Sequence, residues 1–281
     1  MAPGKIGVSG NGLAPSRGRT WFAALSGQDA VAGNPAASVL SCDAFLGDEP
    51  ARFLAVVPQP DSRFPRARNG EVGLEEGWTL AKCVRAAVDS DECGPRRAIV
   101  AIVDVTSQAY GRTEELLGIH LACAAAVDAY ASAREAGHPV VALLVGRAMS
   151  GAFLAHGYQA NRILALDDPG VQVHAMGKAA AARITRRSLS ELDALGDVVL
   201  PLSYDIRTYA KLGMLDTLIE GVNADAPSPA DIVKVRSALS AALTDARSGS
   251  RELTRRVTAS TVRSASAEVR RRMSEQWSAT S

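Results

Sequence analysis

The amino-acid sequence predicts an α/β domain in which parallel strands are stacked with helices. Almost continuous apolar runs of strand length recur along the chain, and such runs are typical of parallel strands covered on both faces. Segments with helical spacing separate these runs, and this alternation at short intervals indicates a layered α/β domain. The chain has 281 residues, 47% of them hydrophobic, which is enough to bury a sizeable core.

Residues 1–50 are interpreted as a weakly patterned segment that packs on the domain. They are rich in Gly, Ala, Ser and Pro, and only the stretch RTWFAALSG predicts an element, a short helix that ends at Gly27. The first residues lack the apolar stretch of a signal peptide, and no run approaches the ~18 apolar residues of a membrane span. A net charge of +1 does not favour nucleic-acid or membrane partners, so we expect a cytoplasmic protein.

The predicted domain proper covers residues 51–247 and opens with a strand. Residues 52–58 are apolar and β-branched, and the strand is stopped by Pro58. A long loop with three prolines follows, and loops of this length are often functional. Residues 74–90 then return to helical spacing. One side of this helix can carry Leu74, Trp78, Cys83, Val84 and Val88.

The middle of the domain repeats the strand–helix pattern. A buried strand is predicted over 97–105, and a single Ala-rich helix over 114–136 with acids in its first turn and Gly137 as its stop. A second buried strand, 140–146, ends at a glycine, and a helix begins directly afterwards at Ser150. Further strands are predicted over 162–166 and 170–175, and further helices over 177–184 and 230–243.

The C-terminal residues 248–281 form a basic tail rich in Ser and Arg. We expect this tail to be frayed or disordered, with a partner-binding arm as the functional alternative. The four cysteines and four histidines show none of the spacings that are typical of zinc or other metal ligands. No metal site is therefore predicted.

Two loops at strand ends carry the chemical signal. The stretches DVTSQAYG and VGRAMSGA each follow a buried strand, and ligands of parallel α/β sheets collect at the carboxyl ends of strands. The second loop runs into a helix, whose first N–H groups have no partner within the helix. Ser150 and Gly151 are thus placed to donate main-chain N–H groups to an oxyanion. On spacing alone, a structural role is slightly favoured for Gly151, in which it only allows close packing of the helix on the strand. Asp104 is as likely to cap its loop as to act in the chemistry.

Four collinear blocks then show a family resemblance. They are RFPRARNGEVGLEEGW, VDVTSQAYGRTEE, GHPVVALLVGRAMSGAFLAHGYQANRILAL and VHAMGKAAAARIT. Together they resemble the malonate decarboxylase gamma subunits, which are carboxyltransferase-type members of the crotonase superfamily. The likeness runs from about Arg19 to about Leu243 and leaves the tail outside. It implies a crotonase/ClpP-like fold.

The resemblance also implies an activity and partners. The chain would pair with a beta subunit and decarboxylate malonyl held as a phosphopantetheine thioester on an acyl carrier protein, through an enolate. No cofactor would be bound directly, and biotin would enter only in a carboxyltransferase variant. The implied catalytic residues are Tyr110, Gly111, Ser150 and Gly151. The implied substrate-binding residues are Gln108, Ala109, Arg112, Gly146, Met149 and His174.

Within this resemblance, three further features bear on the reaction. Hydratases of the superfamily carry a glutamate where this chain has Leu154, so acid–base hydration is not expected. Ser150 stands where related chains usually have a glycine, which leaves the role of its hydroxyl open. Arg66 and Arg68 either contact the phosphopantetheine arm or the carrier protein, or form salt bridges within their loop.

Two other function classes stay open at this point. GRAMSGAFLA also resembles the nucleophile segment of Clp-type serine peptidases, in which Ser150 would attack and His174 would act as base. One residue fewer between the serine and GAFL than in those peptidases argues against that reading. A non-catalytic scaffold, whose partner carries all the chemistry, is the third class.

His156 is interpreted as a half-buried helix residue.

Overall fold

The structure is a computed structural model that describes residues 16–28, 34–258 and 261–279. Its strands are β1 (Val39–Leu46), β2 (Glu49–Val56), β3 (Ala98–Val105), β4 (Val140–Met149), β5 (Arg162–Leu166), β6 (Gln172–His174) and β7 (Thr217–Ile219). Its helices are α1 (Arg17–Ser26), α2 (Leu74–Ser90), α3 (Arg112–Leu116), α4 (Ile119–Glu135), α5 (Ser150–Ala155), α6 (Lys178–Thr185), α7 (Leu189–Val198), α8 (Ile206–Lys211), α9 (Pro229–Ser248), α10 (Arg255–Thr258) and α11 (Ser264–Ala279).

A single mixed sheet organises the described residues. The strand order is β1-β2-β3-β4-β5-β7, and every pair is parallel except the antiparallel hairpin of β1 and β2. The first half of β4 pairs with β5, while its second half turns away to pair with β6. This fork separates the carboxyl ends of β4 and β5 and opens the edge of the sheet at which the two candidate loops lie.

The core confirms the apolar runs that the sequence predicts as strands. Every residue of β5 and all but one residue each of β3 and β4 are buried. On one face α2 packs on α4 so closely that a Cβ added to Gly77 would come within 2.6 Å of Ala122 O. A glycine is therefore required where these two helices meet.

The second predicted buried strand is longer than expected. β4 does not stop at Gly146 but continues to Met149, with a register shift against β3. The side chain of Asp104 lies against Gly146 and accepts a hydrogen bond from the Arg147 N–H at 3.1 Å and one from the Gly18 N–H at 3.2 Å. Gly146 thus leaves room for the carboxylate of Asp104, and its contact with substrate stays a prediction.

Several other predictions need correction. The Ala-rich helix is broken at Gly118, whose φ of 82° ends α3 and starts α4 in the left-handed region. Trp78, predicted to face inward, is 51% exposed. The sequence reading also missed β1, β7, α7 and α8.

The basic tail is ordered in its described part, contrary to expectation. It forms α10 and α11, and Arg256 is only 7% exposed. The N-terminal residues 1–15, to which the signal-peptide argument applies, and residues 29–33 lie outside the described part of the chain. Among the described helices, none is both long and apolar enough to cross a membrane.

Candidate functional site

A cavity of about 670 Å³ opens at the carboxyl ends of β3 and β4. The two candidate loops form one wall, and α5, β6 and the segment around α8 form the others. Its lining residues are Gln108, Tyr110, Ser150, Gly151, Phe153, Leu154, Tyr158, Val173, His174, Ala175, Pro201, Leu202, Ser203, Tyr209, Leu212 and Met214. Five predicted site residues are thereby brought together: Gln108, Tyr110, Ser150, Gly151 and His174.

The turn from β4 into α5 has an unusual backbone. Ser150 adopts a φ of 59°, one of two non-glycine residues with positive φ among those described. This conformation costs a residue with a Cβ roughly 1–2 kcal/mol, which gives a physical reason for a glycine to be favoured at this position. The turn presents the N–H groups of Ser150 and Gly151 at the start of α5, where no intrahelical acceptor exists.

The Ser150 hydroxyl is part of the site. Its Oγ lies 3.0 Å from the hydroxyl of Tyr110, whose side chain is 55% exposed. The side-chain oxygen of Gln108 lies against Gly151, where a Cβ would overlap it. The two strand-end loops are therefore in direct contact.

A second segment fixes the loop that carries Gln108 and Tyr110. The Val72 N–H donates to Ser107 O at 3.0 Å, and the Ala109 N–H donates to Val72 O at 2.9 Å. Because this bond occupies the Ala109 N–H and the residue is 1% exposed, its predicted role as a donor to substrate is wrong. Of the loop 109–111, the Tyr110 and Gly111 N–H groups remain without an acceptor among the described residues.

A buried carboxylate holds the segment that contains Val72. Glu76, 1% exposed, accepts from the Ser38 hydroxyl at 2.5 Å and from the Gly73 N–H at 3.0 Å. Burial raises the pKa of Glu76, and its hydrogen bonds oppose that rise. Gly73 directly follows Val72, so Glu76 holds the backbone that holds the Tyr110 loop.

His174 lines the cavity without pairing with the serine. Its ring stacks on Tyr204 with centroids 4.0 Å apart, and its Nδ1 lies 3.2 Å from the Met176 N–H. Burial lowers the pKa of His174, which keeps the ring neutral near pH 7. Among the described residues the Ser150 hydroxyl has only Tyr110 as a partner, so the Ser–His pair of a peptidase is not formed.

The remaining predicted residues lie outside the cavity lining. Met149 is 3% exposed at the end of β4, and its contact with substrate stays a prediction. Gly111 lies under the carboxylate of the buried Glu114, with the side chain of Arg66 beside it. Arg112 is exposed at the start of α3, on the same side of the molecule as Tyr110. Arg68 bonds Ser62 O within its own loop, which supports the structural interpretation of that residue.

His156 is fully buried rather than half-buried. The Tyr130 hydroxyl donates to its Nδ1 at 3.0 Å, and its Nε2–H donates to Ile102 O at 2.9 Å. Burial lowers the pKa of His156 to about 4, so the ring is neutral at pH 7. It joins α4 and β3 beneath the cavity and has no route to a ligand.

A residue of the tail, Arg256, supports Tyr158 in the cavity wall, and the sequence reading missed this contact. The Arg256 guanidinium donates to Tyr158 O at 2.5 Å and to Ala160 O, and lies over the Tyr158 ring. Tyr158 and Tyr209 line the inner part of the cavity. No spacing in the sequence connects these residues, because they meet only through the path of the chain.

The cavity has mixed chemistry. The turn at Ser150 offers hydroxyl and main-chain N–H donors, while Phe153, Leu154, Leu212 and Met214 add apolar lining. Among the described residues, no group of three or more potential metal ligands is found. The hydroxyl and main-chain N–H donors suit the binding of an oxyanion.

Comparison with known proteins finds a matching family model and similar solved structures, both of malonate decarboxylase. The family model of the malonate decarboxylase gamma subunit (MdcE) matches residues 67–277, so the likeness includes most of the tail that the sequence reading left outside. A crystal structure of a Pseudomonas malonate decarboxylase hetero-tetramer in complex with coenzyme A contains a chain 59% identical over 93% of this chain and all of that chain, with a TM-score of 0.89.

More distant relatives share the fold or part of the sequence. The malonyl-S-ACP:biotin-protein carboxyltransferase MADD of Malonomonas rubra is 34% identical over 183 residues, which is 63% of either protein's length. The transcarboxylase 12S core matches with a TM-score of 0.56 at 21% identity, over 74% of this chain and 35% of that one. This match shows that the two chains share a fold.

Proposed function

Because the chain belongs to the malonate decarboxylase gamma subunit family, we propose that it works with a beta subunit to decarboxylate malonyl-S-acyl carrier protein. The products are acetyl-S-acyl carrier protein and carbon dioxide. The observation that carries this proposal is the 59% identity, over 93% of this chain, to a subunit of the Pseudomonas malonate decarboxylase. Coenzyme A in that complex supports a thioester as the substrate, with the phosphopantetheine arm as part of it. A carrier-bound substrate of this kind places the reaction in the cytoplasm.

The site suggests how the chain assists the reaction. When the carbon–carbon bond to the carboxyl group breaks, its electron pair moves into an enolate, and negative charge collects on the thioester oxygen. Uptake of one proton by the enolate carbon then gives the acetyl group. N–H groups of Ser150 and Gly151 that are fixed before the reaction stabilise that charge without reorganisation. The apolar wall favours neutral carbon dioxide over a carboxylate that has lost its water.

We assign the remaining candidates to the subunit seam. Tyr110 is exposed beside Ser150, and the Tyr110 and Gly111 N–H groups are unpaired among the described residues. Arg112 stands next to them with its side chain exposed, in a position to bind a carboxylate of the substrate or of the beta subunit. The active site is completed only when the partner covers this surface.

The test is reconstitution of the chain with its beta partner and malonyl-loaded carrier protein. Carbon dioxide release is expected from the mixture and not from the chain alone. Gly151→Ala pushes aside Gln108 and shifts the donors, which should reduce release by roughly 10²-fold. Gly94→Ala is the matched control, because a Cβ there meets nothing within 4 Å.

The same experiment separates catalysis from scaffolding. A Gly151→Ala complex that assembles and releases carbon dioxide at the wild-type rate would show that the beta subunit carries the chemistry alone. Rapid labelling of Ser150 by a fluorophosphonate would instead favour a peptidase.

A second candidate function is transfer of the carboxyl group to a biotin carrier. The likeness to the Malonomonas rubra carboxyltransferase favours it. If biotinylated carrier protein retains the labelled carboxyl group of malonyl in the reconstituted reaction, the chain is a carboxyltransferase subunit. Free carbon dioxide with no carrier labelling identifies the decarboxylase.

A further inference from the structure

A second cavity, of about 260 Å³, lies at the opposite end of the sheet, where β4 and β5 begin. The end of α4, the end of α9 and the first turn of the tail close it. Its lining residues are Arg134, Gly137, His138, Pro139, Asn161, Ala246, Arg247, Gly249 and Arg251. No carboxylate is among these lining residues, so this cavity has a composition unlike that of the catalytic one.

Two of its guanidinium groups have no acidic partner among the described residues. Arg134, 7% exposed, donates only to main-chain oxygens, from Nε to Gln159 O at 3.1 Å and from Nη1 to Arg251 O. Arg251 donates from Nη1 to Glu135 O at 2.8 Å. A buried cationic group is usually paired with an acid, so Arg134 without one indicates a place for an anion, and the exposed guanidinium of Arg251 lies beside it.

The other polar groups of the wall fit the same ligand. Asn161, 5% exposed, uses its side-chain oxygen to accept from the Val140 N–H at 2.8 Å, which leaves its NH₂ group as a donor. The third guanidinium, Arg247, is paired with Glu49 at 2.8 Å, which offsets its charge. The wall remains positive because of Arg134 and Arg251. Guanidinium and amide donors together match the oxygens of a tetrahedral oxyanion.

His138 adds an unsatisfied atom to this wall. Its Nδ1 donates to Arg97 O at 3.0 Å, while Nε2 is buried without a hydrogen-bond partner among the described residues. Since burial lowers the pKa of His138, the ring is neutral and Nε2 is an acceptor. A protonated oxygen of a hydrogen phosphate group is the kind of donor that would satisfy it.

We propose that the cavity lined by Arg134, Arg251 and Asn161 binds a small oxyanion of the phosphate class. Its volume is several times the ~30 Å³ that a water molecule occupies in the liquid, which suits such an anion with its bound waters. Because the wall joins α4 and α9 to the tail, the bound anion holds the tail on the core. The site is separate from the thioester chemistry and does not depend on it.

The test is calorimetric titration of the full chain with inorganic phosphate at fixed ionic strength. Saturable binding is expected, with sulfate as a competitor and nitrate as none. Arg251→Gln should raise the dissociation constant for phosphate by at least about tenfold, because a charge-assisted hydrogen bond is lost. Arg85→Gln is the matched control, since Arg85 pairs with Asp128 on the exposed surface and should bind phosphate as wild type does.

Thermal unfolding gives an independent measurement on the same variants. Phosphate should raise the melting temperature of wild type and Arg85→Gln but hardly that of Arg251→Gln. If Arg251→Gln does not fold, Arg247→Gln serves in its place, and it should also weaken binding. A wild-type chain without saturable phosphate binding, or an Arg251→Gln chain that binds as tightly as wild type, would overturn the proposal.

Discussion

Protonation of His156 should account for a large part of the chain's loss of stability in acid. The pKa of the ring is about 4 in the fold against 6.5 for the exposed ring, because burial disfavours the charged form. The unfolded chain therefore binds one more proton than the folded chain between these two values. The neutral ring's contribution is complete above pH 6.5 and is lost as the pH falls to about 4. The difference of 2.5 pKa units corresponds to about 3 kcal/mol.

The assay is urea unfolding at a series of pH values from 7.5 to about 4.5, with the free energy of unfolding plotted against pH. His138 and His174, whose pKa values are also lowered, bend the curve in the same direction, so variants must isolate the ring of interest. His156→Gln should lower stability at pH 7 but remove up to about 1.4 kcal/mol per pH unit of slope. Thr113→Ala, an exposed change on α3 that removes no titrating group, should leave the slope unchanged.

The shape of the curves decides the matter. If wild type and His156→Gln give parallel curves of stability against pH, the ring does not gain a proton on unfolding, and the reasoning from burial is refuted.

Three further predictions follow from the site. Ser150→Gly should raise the free energy of unfolding by up to about 1 kcal/mol because glycine adopts positive φ freely, whereas Ser150→Ala should bring no gain; urea titration measures both. Glu76→Ala should cost roughly 1–3 kcal/mol by leaving two buried donors unpaired, and Glu76→Gln should cost less, as thermal unfolding can show. Arg256→Gln should speed amide hydrogen exchange around Tyr158, while equal exchange would show that the tail does not support that wall.

The strands and loops at the candidate site's edge of the sheet can be predicted from the sequence because local patterns determine them. Apolar runs identify β3 and β4, and the small residues after them identify the two loops, which the structure joins through Tyr110 and Ser150. The turn at Gly146 was misread, since a glycine inside a continuing strand and one that ends it look alike until the side chain of Asp104 is placed against it.

Other parts of the site carry no local pattern. β1 has an irregular burial pattern, with buried Ser41 among its residues, so neither period-2 alternation nor a continuous apolar run marks it. From composition alone, the Ser- and Arg-rich tail is predicted to be solvent-exposed, because the sequence does not show which groups its arginines bind. In the fold, the stem of Arg256 is buried and its guanidinium bonds main-chain oxygens, an arrangement that composition does not reveal.

The tail links the two cavities through one short segment. Three consecutive carbonyl groups, those of Tyr158, Gln159 and Ala160, accept from the guanidinium groups of Arg256, Arg134 and Arg256 in turn. Tyr158 lines the candidate active-site cavity, while Arg134 lines the basic one. An anion that draws on Arg134 therefore competes with a carbonyl next to the catalytic wall. This segment therefore offers a direct route for coupling between the cavities, since both guanidinium groups bind it and neither has an acidic partner within hydrogen-bonding distance among the described residues.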